Sequence, residues 1–123
     1  MSRVQAIRGA TTLDADTSEQ MLERVEEMMS LLYSENGLVD DDVVSAWFTA
    51  TPDVHSMFPP GAARATVGMT DVPMMGATEM AVDGALGLCI RVMLHVSTSR
   101  PRRELRHVYL RGAIALRPDL THG

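Results

Sequence analysis

Lysine is missing altogether: all 11 cationic side chains of this 123-residue chain are arginine. That absence excludes Schiff-base chemistry, pyridoxal-phosphate anchoring and a P-loop lysine. It is also what a GC-rich genome would produce, but the result is a set of positive charges that are all planar forks suited to carboxylate or phosphate. Cysteine occurs once, at Cys89, which excludes an intrachain disulfide and a cysteine metal site. Aromatic residues make up only 4% of the chain, so the core must pack from its ten methionines and its many Val, Leu and Ala. A core of such small, adaptable parts makes burial between subunits a route to adequate stability. No apolar run reaches the roughly 18 residues of a membrane span, and Met1 to Gln5 opens no secretory leader; a cytoplasmic protein without a membrane partner is expected. The formal charge of -5 argues against nucleic acid, which favours a strongly basic face. At this length residues 1–123 are expected to form a single domain.

The segment Cys89 to Val96 organises what is present. As an extended run it puts Ile90, Val92, Leu94 and Val96 on one face and Cys89, Arg91, Met93 and His95 on the other. A guanidinium on a face shared with Cys and Met needs an anion close by, because an unpaired buried charge is costly.

Taken in order, Val4 to Ala10 reads as a strand containing Arg8. A helix follows from Asp16-Thr17 with a Thr17-x-x-Gln20 capping box, and Asn36-Gly37 ends it. Met21, Leu22, Val25, Met28, Met29 and Leu32 recur at helical spacing and are expected to face the core. Asp40, Asp41 and Asp42 suggest a solvated, helix-capping turn, since three adjacent carboxylates in a regular element cannot all face one ion. Further strands are expected at Val43 to Ala50 and Asp71 to Met75, with a short helix from Ala62 to Val67 after Phe58-Pro59-Pro60-Gly61 and a loop from Gly76 to Met80. Arg100 to Arg103 reads as a solvated turn, and His107 to Leu110 and Gly112 to Leu116 are two last apolar pieces. The fold class is α+β, a mixed sheet of about five strands with one long and one or more short helices.

Several kinds of chemistry find no support. His55, His95, His107 and His122 lack any paired ligand spacing, so no metal is expected. No Gly-x-Ser-x-Gly elbow exists, and Cys89 lies inside a strand, where a structural thiol is the natural reading. Arg8, Glu79, Arg91 and Arg117 stand at strand positions or strand ends, with Tyr109 in an apolar piece. Taken singly, each fits a salt-bridged or snorkelling residue of an ordinary sheet. Together they describe a cationic pocket with one carboxylate, suited to a small polyanion, and spacing alone goes no further.

Ile7-Arg8-Gly9-Ala10-Thr11-Thr12, Ala50-Thr51-Pro52-Asp53, Phe58-Pro59, Val72-Pro73, Cys89-Ile90-Arg91-Val92, Arg106-His107-Val108-Tyr109-Leu110 and Leu116-Arg117-Pro118-Asp119-Leu120 together resemble the AroH class of chorismate mutases. The resemblance runs through nearly the whole chain in order. It implies a homotrimer forming a pseudo-α/β barrel, with active sites between subunits, and the Claisen rearrangement of chorismate to prephenate without a cofactor. On that resemblance Arg91 is the donor to the breaking ether oxygen and Glu79 accepts from the ring hydroxyl, while Arg8 and Tyr109 hold substrate carboxylate. Met75, Gly76, Ala77 and Thr78 line the site through backbone groups. Phe58 and Arg64 resemble residues lent by the neighbouring subunit, and Leu116 and Arg117 the edge that closes over the pocket. Two departures bear on affinity: Met75-Gly76 stands where members can carry Thr-Cys, and Gly61 where some carry lysine. They leave open an alternative, a trimeric binding or regulatory protein for a small carboxylate metabolite that keeps the pocket without catalysis.

Overall fold

The computed structural model describes residues 1–116. Its five strands are β1 (Arg3–Thr12), β2 (Val43–Ala50), β3 (Met74–Thr78), β4 (Cys89–Thr98) and β5 (Val108–Tyr109), and its two α-helices are α1 (Ser18–Asn36) and α2 (Pro59–Val67). The sheet order is β3-β2-β4-β1-β5, so the arginine-bearing β4 is the central strand. It runs antiparallel to both neighbours, while the outer pairs β2–β3 and β1–β5 are parallel. The mixed α+β architecture expected from the sequence is present.

Local chemistry explains α1. Thr17 is extended, and its Oγ1 accepts from the Gln20 N–H at 3.2 Å. The reciprocal half of the expected capping box is not made, because the Gln20 Oε1 instead accepts from the Asp14 and Ala15 amides at 2.7 and 3.2 Å. Gly37 closes the helix in the left-handed region at φ 61°, where a side chain would be strained. Between the caps, Met21, Val25, Met28, Met29 and Leu32 are fully buried against Ile7, Ile90, Val92 and Leu94 of the sheet. Gly9 allows the helix to come this close: a Cβ there would sit 2.7 Å from Leu32 Cδ1.

The first strand runs longer than the Val4 to Ala10 expected, and the larger departures from the sequence expectation lie between residues 59 and 80. The helix expected from Ala62 begins at Pro59, since a proline at the first helical position lacks only an N–H that has no partner anyway. The strand expected at Asp71 to Met75 and the loop expected at Gly76 to Met80 are both displaced. Residues 69–72 form a turn closed by Val72 N–H to the Met69 carbonyl, and the strand runs Met74–Thr78. Its parallel ladder starts where the Ala46 N–H reaches the Pro73 carbonyl at 3.0 Å, and Gly76 is carried along by its pairing with Phe48. At Asp40–Asp42 the carboxylates hold the turn between α1 and β2 rather than simply facing water. Asp40 accepts from the Tyr33 hydroxyl at 2.8 Å and the Met69 amide at 3.1 Å, and Asp42 from the Val39 amide at 2.9 Å.

Both helices cover one face of the sheet. Among the described residues the other face has no α-helix over it; the 3-10 turn Arg111–Leu116 packs on it at Ala10, and elsewhere it carries Val4, Trp47 and Met75, which are 60%, 46% and 57% exposed. Among the described residues no helix is long and apolar enough to cross a membrane.

Candidate active site

The register across the sheet puts one row of residues on the face opposite the two α-helices, its Tyr109 end buried beneath the 3-10 turn Arg111–Leu116. Tyr109 pairs with Ala10, Ala10 with Arg91, Arg91 with Thr49 and Thr49 with Ala77, and residues directly opposite in a ladder share a face. Arg91 is therefore the charged centre of a row drawn from all five strands. Along β4 the expected alternation holds: Ile90, Val92, Leu94 and Val96 are buried on the helix side, and Arg91, Met93 and His95 are half-buried opposite.

Glu79 meets Arg91 immediately after β3 ends. Its backbone N–H continues the ladder to the Ala50 carbonyl at 2.9 Å, which turns its side chain toward β4. The Arg91 Nε–H is shared between Glu79 Oε1 and Oε2 at 2.9 and 3.1 Å, and Nη2 donates to Oε1 as well. This is a forked, charge-assisted contact. Its exposure is unequal: the Arg91 side chain is 43% accessible and that of Glu79 only 16%. Hydrogen bonding to Glu79 raises the Arg91 pKa against the opposing effect of burial, so the guanidinium is charged at every accessible pH.

The pair lies in a cleft of about 180 Å³ lined also by Thr51, Met80, Val82, Leu86, Cys89 and Leu116. Burial, reinforced by the Glu79 charge, pushes the Cys89 thiol up to about 11. It is neutral near pH 7 and no nucleophile, in line with the structural role expected for it. Leu116 reaches the cleft from a 3-10 turn, Arg111–Leu116, that is fastened to β1 by the Gly112 N–H donating to Thr12 Oγ1 at 3.0 Å.

Arg8 and Tyr109 come together beside this cleft without lining it. The Arg8 guanidinium sits 6.0 Å from the Tyr109 ring centroid, and Tyr109 is buried against Ala10 and Ala113. Arg8 pairs with Met93, two residues along β4 from Arg91, which separates the two guanidinium stems by one step of the pleat. Phe58, Gly76, Ala77 and Thr78 line a second, larger cleft of about 500 Å³ with Val54, His55 and Met57. Phe58 stands 82% exposed at its rim. Met75 lies on the uncovered sheet face and Arg64 on the outside of α2, both exposed and lining neither cleft. Arg117 and His122 lie outside the described residues. Among the described residues no group of three or more His, Cys, Asp or Glu side chains is placed to hold a metal ion.

Sequence reasoning gave Thr51 and Asp53 no role in the site, naming them only within the Ala50-Thr51-Pro52-Asp53 motif. Thr51 forms part of the Arg91 cleft, and Asp53 is bonded to Leu88 across the gap between the two segments. The signal available was an Asp two residues after a Thr at a strand end, a common local hydrogen-bonded turn, but its distant partner depends on the β2–β4 pairing.

Similarity to known proteins extends along the chain. A family model described as chorismate mutase type I matches residues 4–120. Chorismate mutase AroH of Bacillus subtilis (strain 168) is 42% identical over 118 residues, which cover 96% of this chain and 93% of that protein. Chorismate mutase AroH of Thermus thermophilus is 41% identical over 118 residues, 95% of this chain and 96% of the relative. Among solved structures, a chorismate mutase from Clostridium thermocellum superposes with a TM-score of 0.87 at 40% identity, covering 90% of this chain and 98% of that one. With sequence and fold agreeing over nearly its full length, this chain belongs to the chorismate mutase type I family.

Proposed function

We infer that this chain catalyses the rearrangement of chorismate to prephenate, as a homotrimer whose active sites lie between subunits. The observation that carries the reading is the Arg91–Glu79 pair in its cleft, within a chain related over its whole length to chorismate mutases. Arg91 donates to the ether oxygen, where negative charge grows as the C–O bond breaks and the new C–C bond forms. A preorganised donor of this kind is worth roughly 10²- to 10³-fold in rate when water is excluded. Glu79 accepts from the ring hydroxyl, so the same two groups that hold each other now hold opposite ends of the ring substituents. Arg8 and Tyr109 take substrate carboxylate, and binding at several points holds the flexible substrate in its reactive chair-like conformer.

The assembly has its own support. Phe58 and the 76–78 segment line a different cleft from Arg91, Glu79 and Leu116, as suits a site completed by two chains, with Phe58, Arg64 and the Met75 to Thr78 backbone supplied by the neighbour. The uncovered sheet face with Trp47 and Met75 is the surface that further copies would bury. Arg117 is assigned to the closing edge with Leu116.

The test is to follow the conjugated-diene absorbance of chorismate with purified protein, and to determine its mass by light scattering. Loss of absorbance with prephenate formed, at three times the 13.4 kDa chain mass, is the expected result. Prephenate binding without turnover would replace this reading with that of a regulatory or binding protein.

A further inference from the structure

Leu88 is one of the described non-glycine residues with positive φ, at 47°, a conformation that costs free energy and persists only where the surroundings hold it. It immediately precedes β4, three residues before Arg91. Its carbonyl accepts from the Leu13 N–H at 2.8 Å, and its own N–H is clasped by both oxygens of Asp53 at 3.1 and 2.9 Å. The same carboxylate accepts from the Thr51 hydroxyl at 2.6 Å, and that hydroxyl accepts in turn from the Cys89 N–H at 2.9 Å. Thr51 N–H completes the ring of contacts by donating to the Cys89 carbonyl at 3.0 Å. Gly87 makes room for the carboxylate, since a Cβ there would stand 2.7 Å from Asp53 Oδ2.

These contacts converge on both members of the Arg91–Glu79 pair. Glu79 hangs from the carbonyl of Ala50, the residue before Thr51, and Arg91 follows Cys89 by two residues on a strand whose first residue is tied to Thr51 by two hydrogen bonds, one in each direction. Asp53 thus fixes where β4 begins relative to the end of β2, although it is itself exposed and touches neither Arg91 nor Glu79.

We propose that Asp53 is a positioning residue for the reaction, holding Leu88 and Thr51 so that Arg91 and Glu79 keep the mutual geometry the transition state needs. The proposal rests on the chorismate mutase reading of the cleft. Because Arg91 acts on charge that exists only in the transition state, a small displacement lowers kcat more than it raises KM.

Two substitutions reach the clamp from opposite sides. Asp53→Asn leaves the shape but replaces one acceptor by a donor, and Gly87→Ala keeps the carboxylate but drives it off the Leu88 amide. Both are expected to lower kcat for chorismate by roughly ten- to a hundred-fold, with KM changed by less than about threefold, as misplacement of a reacting group by a fraction of an ångström to an ångström does. Amide hydrogen exchange at Leu88 and Cys89 should accelerate in both, while exchange in α1 remains as in the parent. Unchanged kcat in a variant whose Leu88 amide exchanges faster would overturn the proposal, as would a kcat loss matched by an equal loss of folded protein. Absence of turnover in the unsubstituted protein would instead refute the functional reading, and the exchange data would still report on the clamp.

Discussion

Arg91 and Glu79, 12 residues apart in sequence, meet as a forked ion pair across the end of the β2–β3 ladder, with the arginine the more exposed partner. Each holds the other's charge in place, and each offers the group that a hydroxylated, anionic ether would need. An arginine already matched in this way attracts a passing simple anion weakly. A ligand displaces the pairing only if it brings an acceptor to Arg91 and a donor to Glu79 together.

Arg91→Ala is expected to lower kcat/KM by roughly a hundred- to a thousandfold, the effect of losing the proposed donor to the breaking bond. Arg91→Lys keeps the charge without the fork and should remain severely impaired. Glu79→Gln leaves Arg91 unmatched, so chorismate turnover should fall while inhibition by inorganic phosphate strengthens. Steady-state kinetics with and without phosphate separates the two effects.

Cys89 is 2% exposed and its thiol is pushed up to about 11. It should resist a thiol-specific reagent at neutral pH in the folded protein and react fully in denaturant. Rapid labelling of the native chain would contradict its burial.

Arg24 is buried on α1, where Nη1 donates to the Thr12 carbonyl, Nη2 to Asp14 Oδ2 at 2.9 Å and Nε to Glu23 Oε1 at 3.1 Å. Both carboxylates are mostly exposed and return to water when the arginine is removed, so the loss is chiefly the buried carbonyl's charge-assisted bond. Arg24→Leu is expected to cost about 2 kcal/mol, read by denaturant unfolding.

Gly9→Ala should destabilise the chain by about 1–3 kcal/mol, the usual cost of overpacking a core. The added Cβ would meet Leu32 Cδ1 at 2.7 Å, Val92 Cγ1 at 3.1 Å and Met28 Cγ at 3.2 Å. Leu32→Val removes the nearest of these atoms, so the double variant should be more stable than the sum of its two single changes, which a double-mutant cycle measures.

The Thr51 hydroxyl, aided by the Leu88 amide, lowers the Asp53 pKa below its ordinary 3.8. A carboxyl with a depressed folded-state pKa contributes stability above its unfolded value and loses it as pH falls through the folded one. The parent protein should therefore be more stable than Asp53→Asn at neutral pH, and the difference should shrink as pH drops below about 4. Thermal melting of both proteins across that range is the check.

What could be read from the sequence was whatever is decided locally. Thr17, Gly37 and the methionine stripe between them mark α1 because caps and helical period act within a few residues. The faces of β4 follow from simple alternation. β3 was misplaced because Met74–Thr78 carries no alternation and contains Gly76; only pairing with β2 makes it a strand. The same limit governs the site. The need of Arg91 for a nearby anion, and Glu79 as the one carboxylate among the candidate cations, are legible from the residue types and the family resemblance, whereas the grip of Asp53 on Leu88 exists only once β2 and β4 lie side by side.

The place of β4 in the sheet also sets the order in which the chain can fold. β1 finds its antiparallel partner only when Thr12 reaches Cys89 and Arg3 reaches Thr98, and β2 needs the same strand. During synthesis α1 and the β2–α2–β3 unit can gather locally, but the sheet has no centre until residue 98 has emerged. Contacts this distant in sequence close slowly, and meanwhile the apolar edges of β1 and β2 are open to other chains. The strand that brings the arginine is thus the keystone of the folding reaction too, and nascent chains stalled before it should be the aggregation-prone species.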